Sequence, residues 1–222
     1  MEQLVKIPPP AIERLSYLYE VLFQFEGREQ FKVSSVELGE SIGQAATTIR
    51  KDIHLLGYNG SAGARYDVRE LKGLIGERLG FVVERAACIV GMGALGSALL
   101  NHFTAHPGQG VRIVAGFDSN VNRLETITTS VELFPAYRLE EVIARKSIAL
   151  AVIAVPPAAA QEVADRCCSG GVSGILTFSP VQVRPVCAGV SLRSFDIACE
   201  MRILTAHASL NRAGVSQNDK QS

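Results

Sequence analysis

The chain has no net charge to declare a partner: 22 Lys and Arg stand against 22 Asp and Glu in 222 residues. No global field therefore marks it for a polyanion or an anionic membrane. Cysteine is scarce, five in all, and no C-x-x-C pair occurs. Cys167 and Cys168 are adjacent, which does not suit a two-ligand metal loop, and none of the four histidines stands at ligand spacing from a cysteine. These absences argue against common zinc sites, and no metal is expected. The odd cysteine count, with no secretory apolar core near Met1, predicts reduced thiols in a cytoplasmic protein. Ile148 to Val155 is strand-sized, and no apolar run reaches the ~20 residues of a membrane span. The polar stretch 212–222 reads as a loose tail.

What is present is a hydrophobic fraction of 47%, normal for globular cores, in a length that suits one large domain or two small ones. The pattern changes near residue 80. Before it, helical periods dominate. In a helix from about Ala11 to Phe25, Ile12, Leu15, Leu18, Val21, Leu22 and Phe25 recur at three- and four-residue steps, as a buried face requires. Ser34-Ser35-Val36-Glu37 resembles a capping box opening a short helix over Val36 to Ser41. After Gly43, a third helix spans Gln44 to Leu56. Two short helices joined by a glycine turn form the helix-turn-helix pattern. Gly57 to Val68 reads as a hairpin wing, and Leu71 to Leu79 as one more helix.

That pattern makes Ser34, Gln44, Thr47, Thr48, Arg50, Lys51, His54 and Arg65 the candidates for contact with duplex DNA. The electrostatics are equivocal. Residues 1–80 hold ten basic and eleven acidic side chains, although Arg50, Lys51, Arg65 and Arg69 outnumber Asp52 and Asp67 locally.

Past residue 80, apolar strands alternate with helical patterns, the signature of an α/β fold with a parallel sheet. Gly91-Met92-Gly93-Ala94-Leu95-Gly96 follows an apolar run and opens a helix-like run. In a Gly-x-Gly-x-x-Gly elbow the first glycine makes the tight turn. The second admits a diphosphate, and the third lets helix and strand pack closely. The helix N-terminus adds unpaired N–H groups for the phosphates. Asp118 ends the next apolar run, 22 residues after Gly96, where an adenine ribose needs an acceptor. A carboxylate there repels a 2′-phosphate, so NAD(H) is expected over NADP(H), with Arg123 too late in the chain to matter. Further strands are expected at Val131–Phe134, Ile148–Val155, Gly174–Phe178 and Val190–Phe195. Ligands of such sheets bind beyond the carboxyl ends of the strands, which places the nicotinamide among Val155, Pro156, Thr177, Phe178 and Pro180. Asp196 caps a closing helix to about Leu210. Four of the five cysteines lie in apolar contexts and read as buried, inert thiols.

The order of these motifs resembles one family, the Rex redox-sensing transcriptional repressors. The carriers are Ile7-Pro8, Ala11 to Leu15, Ser34 to Gly39, Ile49-Arg50-Lys51-Asp52 and Arg65 to Val68. The elbow Gly91 to Gly96, Phe117-Asp118, Val155-Pro156, Gly174 to Leu176 and Asp196-Ile197-Ala198 continue the match, which spans about residues 7–205. The resemblance implies a winged-helix DNA-binding domain (1–80) and a Rossmann NAD(H)-binding domain (81–195). A C-terminal helix (196–211) is swapped between the subunits of a homodimer. It implies a repressor that leaves a palindromic operator when NADH binds, and no catalytic residue. It also implies that Glu20, His102 and Asp196 couple ligand state to domain position. Here Glu20 and His102 stand where many members carry arginine and tyrosine, and Thr177 and Ser179 replace an asparagine and an alanine. Three other readings stay open. One is a paralogue that binds DNA but has lost redox sensing. Another is a small NAD-dependent oxidoreductase, for which His102 and His207 are the available histidines. The last is an adaptor that binds no DNA.

Overall fold

In the computed structural model the described residues are 7–58, 65–106 and 110–218, with side chains described through Leu210. Contacts divide the chain into two compact units, Met1–Val83 and Glu84–Ser222.

The first unit contains α1 (Pro9–Gly27), β1 (Lys32–Val33), α2 (Ser35–Ser41), α3 (Ala46–Leu55), β2 (Tyr66–Asp67) and α4 (Val68–Leu79). Pro9 and Pro10 occupy the first turn of α1, where a missing N–H costs nothing. Leu15, Leu18 and Leu22 form its buried stripe against Leu38, Ile49, Ile53, Leu71 and Ile75. Ile12, expected on that stripe, is 41% exposed, and Ala11 is buried instead. Both positions fit the helical period, and the smaller side chain took the tighter place. The capping box at α2 is complete. Ser34 Oγ accepts from the Glu37 N–H at 3.2 Å, and Glu37 Oε2 accepts from the Ser34 N–H at 2.7 Å.

The wing differs from the hairpin read at Gly57 to Val68. Tyr66–Asp67 pairs antiparallel with Lys32–Val33, so its partner strand precedes α2 rather than lying within the same segment. Residues 59–64, the intended hairpin turn, lie outside the described residues. Local alternation identified a strand but could not name a partner more than thirty positions away.

The second unit is a six-stranded parallel sheet. Its strands are β3 (Arg85–Val90), β4 (Val111–Asp118), β5 (Glu132–Pro135), β6 (Leu150–Ile153), β7 (Gly174–Thr177) and β8 (Ser191–Ser194). Their spatial order is β5-β4-β3-β6-β7-β8, the doubly wound arrangement. The connections are α5 (Ala94–Ala105), α6 (Val121–Thr126), a 3-10 turn with α7 (Leu139–Arg145), and α8 (Pro157–Gly170). Alternation along β3 feeds two cores. Cys88 and Val90 join Phe117, Ile153 and Val163 on one face, while Ala87 and Ile89 join Leu100, Ile113 and Val152 on the other. Strands buried on both faces must be continuously apolar, which is why these runs stand out in the sequence.

The last helix, α9, runs Ile197–Asn218. The stretch from residue 212, read as a loose tail, is therefore helical as far as Asn218. Polarity was the signal for a tail, yet polarity alone does not end a helix when no proline interrupts it. Asp196 does cap this helix, its Oδ1 accepting from the Cys199 N–H at 3.0 Å. From Met201 to Leu210 every residue of α9 is exposed, including Met201, Ile203 and Leu204.

Candidate nucleotide site and nucleic-acid face

The sheet reverses direction of winding between β3 and β6, and the cavity of the second unit opens at the carboxyl ends of those strands. It has a volume of about 700 Å³. Gly91, Gly93, Ala94 and Leu95 form one wall, and Ala154, Val155 and Pro156 face them.

Each glycine of the elbow has a separate physical reason. Gly91 has φ of +97°, and a Cβ there would stand 2.5 Å from the Ala154 carbonyl oxygen. At Gly96 a Cβ would lie 1.9 Å from the Gly91 oxygen, so only glycine lets α5 close onto β3. Gly93 has φ of −71°, and nothing lies within 4 Å of its would-be Cβ. Its glycine answers to no neighbour in the protein; it leaves bare backbone facing the cavity at the helix N-terminus. That vacant approach is what a pyrophosphate requires.

Asp118 is 4% exposed at the end of β4. Its Oδ2 accepts from the Met92 N–H at 2.8 Å and from Arg123 Nη1 at 2.9 Å, and its Oδ1 accepts from the Asn120 N–H at 2.7 Å. Burial pushes its carboxyl upward, but the Asn120 and Met92 N–H groups and the Arg123 guanidinium outweigh that and hold it below the usual carboxylate range. An ionised carboxylate offers about four acceptor positions, so one remains for a ribose hydroxyl. The residues present thus fit an NAD(H)-type dinucleotide: open backbone for diphosphate, a buried anionic acceptor for ribose, and an apolar wall beyond.

Gly91, Gly93, Ala94, Leu95, Asp118, Val155 and Pro156 all line the cavity. Met92 and Gly96 do not. Met92 is 1% exposed, and only its backbone serves the site, through Asp118. Thr177, Phe178 and Pro180 also lie off the cavity wall. Thr177 is fully buried with Oγ1 accepting from the Ser179 N–H at 3.1 Å; Phe178 packs edge-on to Phe195; Pro180 is exposed. They stand at the carboxyl end of the strand next to β6. Among the cavity side chains that sequence reasoning missed are its two arginines. Arg123 sits one helical turn past Asp118 and reaches back to it. Arg166 on α8 forks onto Glu140, Nε to Oε1 at 2.6 Å and Nη2 to Oε2 at 2.7 Å.

In the first unit, Thr47, Arg50, Lys51 and His54 are exposed on one face of α3, with Ile49, Asp52 and Ile53 buried opposite. Thr48 is half-buried and Gln44 is exposed ahead of the helix. Asp52 is only apparently part of the charge balance of that face. It turns inward and accepts a two-point contact from Arg14, Nε to Oδ2 at 2.6 Å and Nη2 to Oδ1 at 2.9 Å. Two other candidates, and Arg69 of the local basic stretch, are engaged elsewhere. Ser34 is the α2 cap, Arg65 Nη2 donates to Glu37 Oε1 at 3.0 Å, and Arg69 Nε donates to Glu26 Oε1 at 2.9 Å. Arg50 donates from Nη1 to Ser35 Oγ at 2.9 Å, which pins it between α2 and α3.

Of the three residues assigned to coupling, one lies in the first unit and two in the second. Glu20 is exposed on α1. His102 is exposed on α5 and stacks on His106, ring centroids 4.9 Å apart. Asp196 serves α9 as its cap, with Arg202 Nη2 3.8 Å away.

Residues 84–181 match the family model described as "CoA binding domain", and residues 6–53 match the one described as "Putative DNA-binding protein N-terminus". The redox-sensing transcriptional repressor Rex of Desulfitobacterium hafniense is 35% identical over 209 residues, 94% of this chain and 99% of the relative. Rex 1 of Thermotoga maritima is 34% identical over 201 residues, 90% and 95% of the two chains. This chain belongs to the Rex family. Among solved structures, the Rex-family repressor RSP superposes with a TM-score of 0.81 at 28% identity, covering 96% of this chain and 99% of that one. RSP in complex with beta-NAD+ and operator DNA gives a TM-score of 0.82 at 27% identity, covering 97% and 98%. Rex proteins are transcriptional repressors, which removes the oxidoreductase and adaptor readings. The fold is a DNA-binding N-terminal unit followed by a Rossmann-like unit, as the motif order implied. No described helix is long and apolar enough to cross a membrane.

Proposed function

We propose that this chain, in the cytoplasm, represses transcription as a homodimer on a palindromic DNA site and leaves that site when NADH occupies its cavity. The observation that carries the reading is the open approach at Gly93 beside the buried acceptor Asp118. The RSP structures in complex with beta-NADH, and with beta-NAD+ and operator DNA, support it. Gly91, Gly93, Ala94 and Leu95 would hold the diphosphate, Asp118 the adenine ribose, and Val155 and Pro156 the nicotinamide end. Thr47, Arg50, Lys51 and His54 would meet DNA, with Gln44 and Thr48 at the edge of that face. The closing helix α9, exposed from Met201 to Leu210, would be swapped onto the partner.

The redox preference follows from charge. NAD+ carries a positive ring that NADH lacks, and burying it against Val155 and Pro156 is unfavourable without a counter-charge. A closed cavity therefore favours NADH, and a closed dimer would hold its two α3 helices at the wrong spacing for adjacent half-sites. Moving a population from about 1:99 to 99:1 takes roughly 5.5 kcal/mol, shared between two sites in a dimer.

Electrophoretic mobility shift on a palindromic operator, with NAD+ and NADH added separately, tests this. Release by NADH alone supports it, and equal binding of both nucleotides with no effect on DNA sinks it. A second reading, DNA binding with altered ligand coupling, is favoured by Glu20 and His102, which stand where many members of the family carry arginine and tyrosine. In that case both nucleotides bind and neither releases DNA.

A further inference from the structure

Helix α5 begins at the nucleotide elbow and ends at a pair of histidines. His102 lies in its last turn, and His106, four positions on, caps it. Residues four apart share a helix face, with Cβ atoms about 5–6 Å apart. Both side chains are exposed, and their rings approach to 4.9 Å between centroids with planes tilted by 30°. Two histidines at this spacing on one helix face are a known grip for a metal ion.

The ring separation has a chemical reading. An imidazole nitrogen binds Zn2+ at about 2.0–2.1 Å, and Cu2+ and Ni2+ also suit imidazole. Two rings on one such ion, at an angle between square-planar and tetrahedral, have centres about 5 Å apart. The observed separation already matches. One nitrogen is also prepared for the role. His106 Nδ1 stands 3.0 Å from the His102 carbonyl oxygen, which accepts the His106 backbone N–H as well, at 3.1 Å. A carbonyl can only accept, so Nδ1 carries the ring proton and Nε2 keeps its lone pair. Ligating histidines have their second nitrogen tied in this way, which fixes tautomer and ring orientation. The carboxyl end of a helix, where both residues stand, favours a cation through the helix dipole.

The sequence argument against a metal weighed histidines against cysteines, and a histidine pair on a helix falls outside it. Among the described residues, no group of three or more His, Cys, Asp or Glu could hold a metal. The thiols add nothing to such a set. Cys88, Cys167 and Cys168 are buried, three rather than the four expected, and Cys187 and Cys199 are half-buried. Burial pushes the Cys88 thiol well up and the Cys167 thiol up to about 12, whereas a metal takes the thiolate.

We propose that His102 and His106 form a two-histidine chelate for a divalent late-transition ion such as Ni2+ or Zn2+, with water in the remaining positions. Neither residue lines the nucleotide cavity. Along α5 the pair stands about 12–18 Å from the elbow, at 1.5 Å per residue, so the site is separate from the nucleotide's. A bound ion would clasp the last turn of the helix whose first turn faces the cavity.

The test uses the full chain without an affinity tag, and NiCl2 as the probe. Calorimetric titration should give one Ni2+ per chain, and an immobilised-nickel column should retain the chain until imidazole is added. His102→Ala and His106→Ala should each weaken Ni2+ by about 10–100-fold, at least what an outer-shell partner is worth. His207→Ala should leave the affinity unchanged. In magnetic resonance spectra, Ni2+ should broaden the ring signals of His102 and His106 ahead of those of His54 and His207. No binding of Ni2+, binding that survives either alanine variant, or loss in His207→Ala would each overturn the proposal. Both positions are exposed, and circular dichroism checks that the variants keep their helices. Should His102→Ala fail to fold, His106→Ala, just past the helix, carries the same test. No nucleotide or DNA enters these measurements, so the outcome is independent of the repressor function.

Discussion

Arg123 Nη1 and Asp118 Oδ2 stand 2.9 Å apart at the wall of the nucleotide cavity, a guanidinium 46% exposed against a carboxylate 4% exposed. The lone acid that would turn away a 2′-phosphate is therefore half of an ion pair. Arg123→Ala should sharpen the preference for NADH over NADPH by about tenfold, because it leaves the carboxylate uncompensated. Competitive fluorescence titration of the two reduced nucleotides measures that ratio. An unchanged ratio would place Arg123 outside recognition. Asp118→Ala should weaken NADH by about 10–100-fold, the loss of a charged hydrogen bond.

Gly93 and Gly96 should part company when each becomes alanine. Gly96→Ala puts a methyl into the Gly91 carbonyl, and backbone on both sides has little room to yield. We expect a stability loss of about 3 kcal/mol, at the upper end for overpacking. Gly93→Ala meets no protein atom and has an allowed φ, so its urea midpoint should stay close to the parent's while nucleotide affinity falls. Chemical denaturation paired with calorimetric titration separates the two effects. Equal affinity for NADH in Gly93→Ala would count against the diphosphate assignment.

Much of this site was legible before any coordinates, and the reasons are local. The elbow is contiguous, its glycines serve backbone geometry, and Asp118 ends an apolar run whose length gives its place in the sheet. The capping box at Ser34 and Glu37 and the cap at Asp196 are likewise short-range, and both are present. What escaped depends on side-chain direction or distant pairing. Arg123 looked too late in the chain because a helical turn folds it back. The Asp52 carboxylate counted against a basic face until Arg14, 38 residues earlier, was seen to neutralise it.

That Arg14–Asp52 pair makes its own prediction. Its carboxylate is 4% exposed and its guanidinium 24%, so removing the arginine strands a buried charge. Arg14→Ala should cost about 2–4 kcal/mol, reduced from the fully buried case by partial solvent access. A double-mutant cycle with Asp52→Ala, followed by thermal unfolding, should recover part of that loss. Purely additive losses would mean the contact does not tie α1 to α3.

Lys51 offers a test of the DNA face that leaves the packing alone. It is exposed on α3, whereas Arg50 also braces α2 through Ser35. Lys51→Ala should lower operator affinity across sequences and reduce the slope of log affinity against log salt by about 1. Binding measured at several salt concentrations gives the slope, and a parallel shift with unchanged slope would remove Lys51 from phosphate contact.

Helix α9 leaves Met201, Ile203 and Leu204 in water. Aliphatic groups so placed gain by meeting a like surface, and with the pairing proposed above that gain belongs to two chains jointly. Resistance to heat then becomes a property of the solution as much as of the sequence: dilution lowers the melting point, and crowding chains together raises it. The same mass-action logic would make the number of repressor copies in a cell one determinant of how long each copy stays folded.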